Sequence, residues 1–256
     1  ILIIASVISA ITAMQVAGGL DYLVQVASKI LRANPKHVNF LAPVVTYLLT
    51  ILAGTGHTAF AVIPVIVEVA KGQNIKPSAP LSLSVVASQV AITASPISAA
   101  FVAMTGVCEP LGVSYPMLLF ICISTTFVAV LLTALFVNVV YNVRLDTDET
   151  YKARLAAGLV KEIKEVHYEE LPPYALRSVV IFAIGVIAVV LYALAISPSV
   201  GLIPKDSVPL ARDNAIISFM LTIGFMIVVF CKVDTGKLLS TSTFQSGMTA
   251  CICIIG

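Results

Sequence analysis

An all-α protein that crosses a membrane several times is the fold class this sequence predicts, and three observations predict it. Of the 256 residues, 59% are hydrophobic and 11% charged, where a soluble domain carries about 25% charged residues. Apolar runs recur at Leu81–Met104, Tyr115–Val143, Val179–Ile196 and Ala215–Cys231, each near or above the roughly 20 residues that cross a bilayer core as a helix. The charged residues collect between those runs, above all in Arg144–Pro173.

Taken in order, Ile1–Val16 is an apolar helix without an initiator Met or a basic leader, so it reads as a helix cut short rather than a signal peptide. The chain also stops inside the apolar stretch Cys251–Gly256, and a fragment at both ends is the expectation. Basic residues set the sidedness of what lies between. The polar segment Arg144–Pro173 holds five of them and Arg177 follows, which places this connector in the cytoplasm. Leu155–Val166 within it has the pattern of an amphipathic helix, and Pro172-Pro173 closes it before the next crossing. Counting outward puts Gly106–Ser114 and Ser197–Asp213 outside, and Lys71–Lys76 and Lys232–Lys237 inside.

Val38–Ala70 decides the remaining charges. If it crosses once, Lys29, Arg32 and Lys36 fall outside; if it enters and returns, only Lys205 and Arg212 of the 15 Lys and Arg do. Its arms, Val38–Ala53 and Ala59–Ala70, would be about 24 Å and 18 Å long as helices, short of a core of about 30 Å. The re-entrant hairpin is therefore the reading, with a single helix kinked at its glycines as the alternative. The resulting organisation is a first membrane repeat over 1–143, a cytoplasmic connector over 144–177 and the start of a second repeat over 178–256. The first repeat holds the hairpin 38–70, an interrupted helix 80–104 and a helix 115–143.

Two polar breaks could carry chemistry, because non-helical backbone at membrane depth survives only against protein or a wet cavity. The first is the hairpin tip Gly54-Thr55-Gly56-His57-Thr58: the glycines permit the turn, Thr55, His57 and Thr58 supply polar groups, and the following helix aims its N–H groups at the tip. The second runs from Ser88 and Gln89 through Thr93 to Ser95, Pro96 and Ser98. Pro96 cannot donate to the Ile92 carbonyl, so the helix breaks or kinks there. In an unbroken helix Ser84, Ser88, Ser95 and Ser98 would form one stripe, which could equally be plain helix packing by small residues. Gln89 and Thr93 would need unwinding to join it. His57 is ionisable at membrane depth, where such groups are functional by default, whereas Glu68 near the end of the return arm reads as solvated. Arg32 and Lys76 flank the hairpin and could draw anions to a vestibule, or simply anchor the inner side. The polar stretch Ser240–Gly247 is either a cavity lining or a helix start.

Other classes find little support. The five cysteines show no C-x-x-C pair, and no His stands at metal-ligand spacing, so no metal and no cofactor is expected. A net charge of +2 without basic clusters among aromatics argues against nucleic acid. Motifs for ATP binding, zinc proteolysis and serine hydrolysis are missing from these residues, and no nucleophile–base pair suggests an intramembrane enzyme. A gradient-driven secondary transporter remains, with an ion or anion channel using the Gly54–Thr58 segment as a filter as the alternative.

The stretches AGTGHTAFAVIPVIVEVA, SQVAITASPISAA, CKVDTGKLL and STFQSGMTACICIIG resemble the anaerobic C4-dicarboxylate transporter (Dcu) family, and the likeness is strongest to its A-type members. The resemblance implies a carrier in the bacterial inner membrane for aspartate, fumarate, malate and succinate, working by exchange or by uptake coupled to H+ or Na+. It also implies two inverted repeats of the ion-transporter type, each with a re-entrant hairpin and an interrupted helix, surrounded by lipid; a homo-oligomer is left open. On this resemblance Gly54 to Thr58 match the first hairpin tip, Ser88 to Ser98 the first interrupted helix, and Arg32 and Lys76 the flanking basic residues. His57 departs from the family pattern, and the second half of the site would lie beyond Gly256.

Overall fold

The computed structural model describes residues 2–56, 58–140, 144–157, 170–197, 202–203 and 208–250. Within these the chain is helical, and the one extended pairing is an isolated bridge between Ile75 and Arg144. Expectations for His57, residues 141–143, Lys161, Lys164, Lys205, Cys251 and Cys253 lie outside the described residues, as does most of the amphipathic helix expected over Leu155–Val166.

Helix α1, Leu2–Val16, meets α2, Gly19–Ala33, at a 67° bend. Then come α3, Val38–Ala53, and α4, Thr58–Gly72; α5, Ser78–Thr93, and α6, Ala99–Cys108; and the long α7, Tyr115–Val140. The connector holds a short α8, Glu149–Ala156. After it follow α9, Ala175–Ala195, α10, Arg212–Phe230, a single turn α11, Thr235–Leu238, and α12, Ser242–Ala250. Four segments among the described residues are long and apolar enough to cross a membrane: Pro35–Ala53, Tyr115–Val140, Ala175–Ala195 and Arg212–Phe230. The bent pair α1 and α2 makes a fifth if counted as one span. Helix α7 is apolar all round, with Phe120, Leu132 and Phe136 exposed, the composition of a helix whose surroundings are hydrocarbon.

The first arm of the hairpin is longer than the sequence suggests. Pro35 opens a 3-10 turn that leads straight into α3, because a proline at the first helical position gives up an N–H that has no partner there anyway. The helical stretch thus reaches 19 residues and is long enough to count as a span. Helix α4 nevertheless comes back: the Glu68 carboxylate lies 2.9 Å from the Arg32 guanidinium. A straight helix from Val38 to Gly72 would instead extend about 50 Å. Glu68, expected to be solvated, has a side chain only 13% exposed and is ion-paired. Leu31, Val38, Ala42, Val69 and Ala70 close one apolar cluster at the base of the two arms.

Helix α5 lies along α3, with Tyr47, Ala87 and Ala91 buried between them and Val130 of α7 behind. Helices α1, α9 and α10 form a separate apolar cluster through Ile11, Met14, Phe182, Met220 and Ile223. One end of the protein gathers the connector: Lys76 pairs with Asp148, the Leu145 N–H donates to the Asn74 carbonyl at 2.8 Å, and Arg177 donates to the Phe230 carbonyl at 3.4 Å. The opposite end joins the turn after α6 to the start of α10 through Glu109 and Arg212. The two breaks lie between these ends.

Candidate functional site

The hairpin tip begins where α3 stops at Gly54, whose φ of +66° is a left-handed conformation that costs an L-residue with a side chain about 1–2 kcal/mol. Its N–H caps the helix on the Thr50 carbonyl at 2.8 Å. A Cβ here would stand 3.0 Å from Ile97 Cγ1 and 3.2 Å from Ile11 Cδ1. The tip, the second break and the middle of α1 therefore meet at one point.

A knot of hydroxyls fixes the tip. Thr50 Oγ1 lies 2.8 Å from Thr58 Oγ1 and 2.8 Å from Ser88 Oγ. Thr58 donates to the Thr55 carbonyl at 3.1 Å, and Ser88 to the Gly56 carbonyl at 3.2 Å. Three hydroxyl protons serve these four contacts: with those of Thr58 and Ser88 directed to carbonyls, Thr50 donates to one neighbour and only touches the other. The tip carbonyls of Thr55 and Gly56 each accept a hydroxyl hydrogen bond. A filter of open carbonyls is therefore not what this segment builds, and the channel alternative loses its basis.

The second break is stitched in the same way. Pro96 leaves the Ile92 carbonyl without its helical donor, and the Ser98 hydroxyl supplies one. The same Ser98 oxygen accepts the Phe101 N–H at 3.1 Å and caps α6. Ser95 donates across to the Ile51 carbonyl at 2.8 Å, and the Tyr115 hydroxyl donates to the Pro96 carbonyl at 3.0 Å.

Between the breaks and α1 lies an open cavity of about 450 Å³, within the size range of small-molecule sites. Gly54, Thr55 and Gly56 form one wall and Gln89 another. Val7, Ile8 and Ile11 of α1 supply the apolar side, and Phe60 and Ala100 stand at the first turns of α4 and α6. Thr243, Ser246 and Gly247 of α12 close it. Among the described residues of this wall none is charged. Its polar lining is an amide and several hydroxyls, and α4 and α6 both begin beside it, where a helix dipole favours an anion.

The candidate residues thus divide. Gly54, Thr55, Gly56 and Gln89 border the cavity. Gln89 needs no unwinding to do so, contrary to expectation: α5 is regular to Thr93, and a Cβ at Gly56 would lie 3.1 Å from Gln89 Nε2. Thr58, Ser88, Ser95 and Ser98 are fully buried and hydrogen-bonded within the protein. The single serine stripe does not form, since α5 ends before Ser95. Thr93 donates to the Val90 carbonyl of its own helix at 2.8 Å. Neither Arg32 nor Lys76 borders the cavity, and each is engaged by a carboxylate, Glu68 and Asp148. Lys76, more than the Tyr151 N–H, holds the Asp148 carboxyl below the usual carboxylate range. Thr50, the centre of the knot, escaped sequence reasoning, although it stands one helical turn before Gly54. The α12 residues were visible only as a polar stretch of undecided role.

A family described as anaerobic C4-dicarboxylate membrane transporter matches residues 1–256. Proteins named C4-dicarboxylate transporter DcuA are similar: that of Wolinella succinogenes is 58% identical over the whole of this chain and 58% of its own length. That of Escherichia coli K12 is 51% identical over 99% of this chain and 58% of its own. A protein named anaerobic C4-dicarboxylate transporter DcuB, from Escherichia coli O6:H1, is 33% identical over 100% of this chain and 58% of its own. The chain therefore spans somewhat under three fifths of the length of these relatives. No solved structure matches it. With several apolar helices long enough to cross a bilayer and the family match over every residue, this multi-pass membrane protein belongs to the anaerobic C4-dicarboxylate membrane transporter family.

Proposed function

We propose that the chain carries part of the substrate site of a secondary C4-dicarboxylate carrier in the bacterial inner membrane, exchanging or taking up aspartate, fumarate, malate and succinate. The observation that carries the reading is the meeting of two interrupted segments at an uncharged cavity beside which α4 and α6 both begin. Such dipole ends favour a carboxylate, and discontinuous helices are where secondary transporters hold their substrates. The names of the DcuA relatives support the substrate class.

One carboxylate is held at the tip, against Thr55, Gly56 and Gln89. The second is held by residues in the part of the full-length protein that this chain does not span, arranged as an inverted repeat of the first hairpin and broken helix. The hairpin enters the membrane from the cytoplasmic side and returns to it, and a coupling cation, H+ or Na+, accompanies uptake. Counterflow tests the reading. Full-length protein in vesicles preloaded with succinate should accumulate labelled fumarate faster than empty vesicles, because a carrier resets more quickly when loaded; equal rates would argue for a pore.

A further inference from the structure

The far end of the protein carries a contact that the substrate site does not use. Arg212, the first residue of α10, places Nη1 2.8 Å from the Glu109 carboxylate, in the turn that follows α6. Its Nη2 and Nε face Asp213 at 2.9 and 3.2 Å. The guanidinium also stands 5.8 Å from the centre of the Tyr115 ring, and the Tyr115 hydroxyl is the donor to the Pro96 carbonyl. Tyr115 in turn meets Phe101 of α6 edge-on at 5.2 Å. Both ends of the half-helix α6 are thus tied to this one cluster, its broken start through Tyr115 and its finish through Glu109.

The apolar packing explains why such a tie matters. Of residues 38–140, Ile97 alone joins the cluster of α1, α9 and α10 among the described residues, while α3, α4, α5 and α7 pack chiefly with α2 and with one another. The cavity lies along this seam. A second apolar bridge crosses at the rim, where Phe101, Tyr115 and Leu118 meet Ala193 of α9; with the seam bridged at few places, the polar tie beside Tyr115 helps to set where the segments rest. Arg212 is 13% exposed but Glu109 is 55% exposed, so water can replace the carboxylate and the pair is readily reversible.

We infer that Glu109 and Arg212 form a latch that closes the far side of the seam, and that the latch opens when the broken segments move to expose the cavity to that side. This rests on the carrier reading above. The test uses full-length protein with its native cysteines replaced, carrying Glu109→Cys and Arg212→Cys and joined by a short-spacer bifunctional thiol reagent that a reductant cleaves. Succinate exchange should fall about tenfold or more on cross-linking and recover on reduction, while the succinate Kd of the cross-linked protein in detergent stays within about twofold. Complete cross-linking with undiminished exchange would overturn the latch, and so would loss of binding on cross-linking, since the pair would then act on the site itself. A protein that exchanges succinate in vesicles but never binds it at the cavity would instead count against the site assignment. Should the cysteine pair fold poorly, Glu109→Gln, which removes the ion pair and leaves Arg212 on Asp213 and Tyr115, should change the exchange rate about threefold or more with the succinate Kd within about twofold. An unchanged rate would also overturn the latch.

Discussion

The Thr50 hydroxyl oxygen lies 2.8 Å from that of Ser88, and through this contact the first arm of the hairpin is pinned to the broken helix beside it. Thr58 stands at the same distance on the other side of Thr50. Thr50→Val keeps the side-chain shape and removes the middle of the knot. Buried hydrogen bonds of this kind contribute about 1 kcal/mol each, and about 0.6 kcal/mol on average between membrane helices. Thr50→Val should therefore lower unfolding stability in detergent by about 1–2 kcal/mol, more than Ser88→Ala. Equal stability of Thr50→Val and the unaltered protein would show the knot to be energetically idle.

The two tip glycines should fail in different ways. At Gly54 a Cβ must adopt a φ of +66° and meets Ile97 and Ile11 at 3.0–3.2 Å, so Gly54→Ala should cost about 1–2 kcal/mol of stability. At Gly56 the nearest atoms are the ends of two side chains, Gln89 and Ile92, at 3.1 Å, and these can yield. Gly56→Ala should leave unfolding almost unchanged and raise the KM for dicarboxylate uptake. Thermal unfolding and uptake kinetics on the two variants separate these effects.

Ser95 and Ser98 should behave as scaffold. Ser98→Ala leaves the Ile92 carbonyl with only the Ser95 N–H at 3.3 Å and takes the cap from α6, a loss of about 1 kcal/mol for the cap alone. Ser95→Ala frees the Ile51 carbonyl. Both should lower the unfolding temperature, with the substrate Kd of the folded fraction within about twofold. A Kd change without a stability change would make either serine a direct ligand.

The sequence disclosed the breaks more clearly than their wiring. Glycines at 54 and 56 and proline at 96 are backbone signals, legible because they act on their own residue. The partners of Ser88, Ser95 and Ser98 are carbonyls and hydroxyls brought near by tertiary packing, which no helical spacing encodes. That is why a stripe of serines was expected where the structure has a set of stitches. Gln89 was misjudged for the same reason: its orientation was measured against the serines, whereas the tip it faces comes from another helix. The ion pair of Glu68 with Arg32 joins two residues 36 apart in the chain, a contact that no local pattern announces.

The connector should be firm through neutral pH and loosen in acid. Lys76, and then the Tyr151 N–H at 2.8 Å, favour the charged form of Asp148 and lower its pKa. A lowered carboxylate pKa contributes attachment that is complete above the ordinary value near about 4 and is lost as pH falls through the lowered one. Amide protection of residues 144–152, corrected for intrinsic exchange, should hold from neutral pH down past that ordinary value and decline below it. Asp148→Asn should show the acid-state protection already at pH 7.

If the cavity beside Gly56 receives the substrate carboxylate, as proposed, Gln89 is the residue whose replacement shows it most directly. Its side chain is exposed to the cavity, so its replacement should disturb little packing. Equilibrium binding of labelled fumarate to full-length protein carrying Gln89→Leu should be weakened about tenfold, the equivalent of about 1.4 kcal/mol, with unchanged thermal unfolding. An unaltered Kd in a folded Gln89→Leu protein would contradict the account.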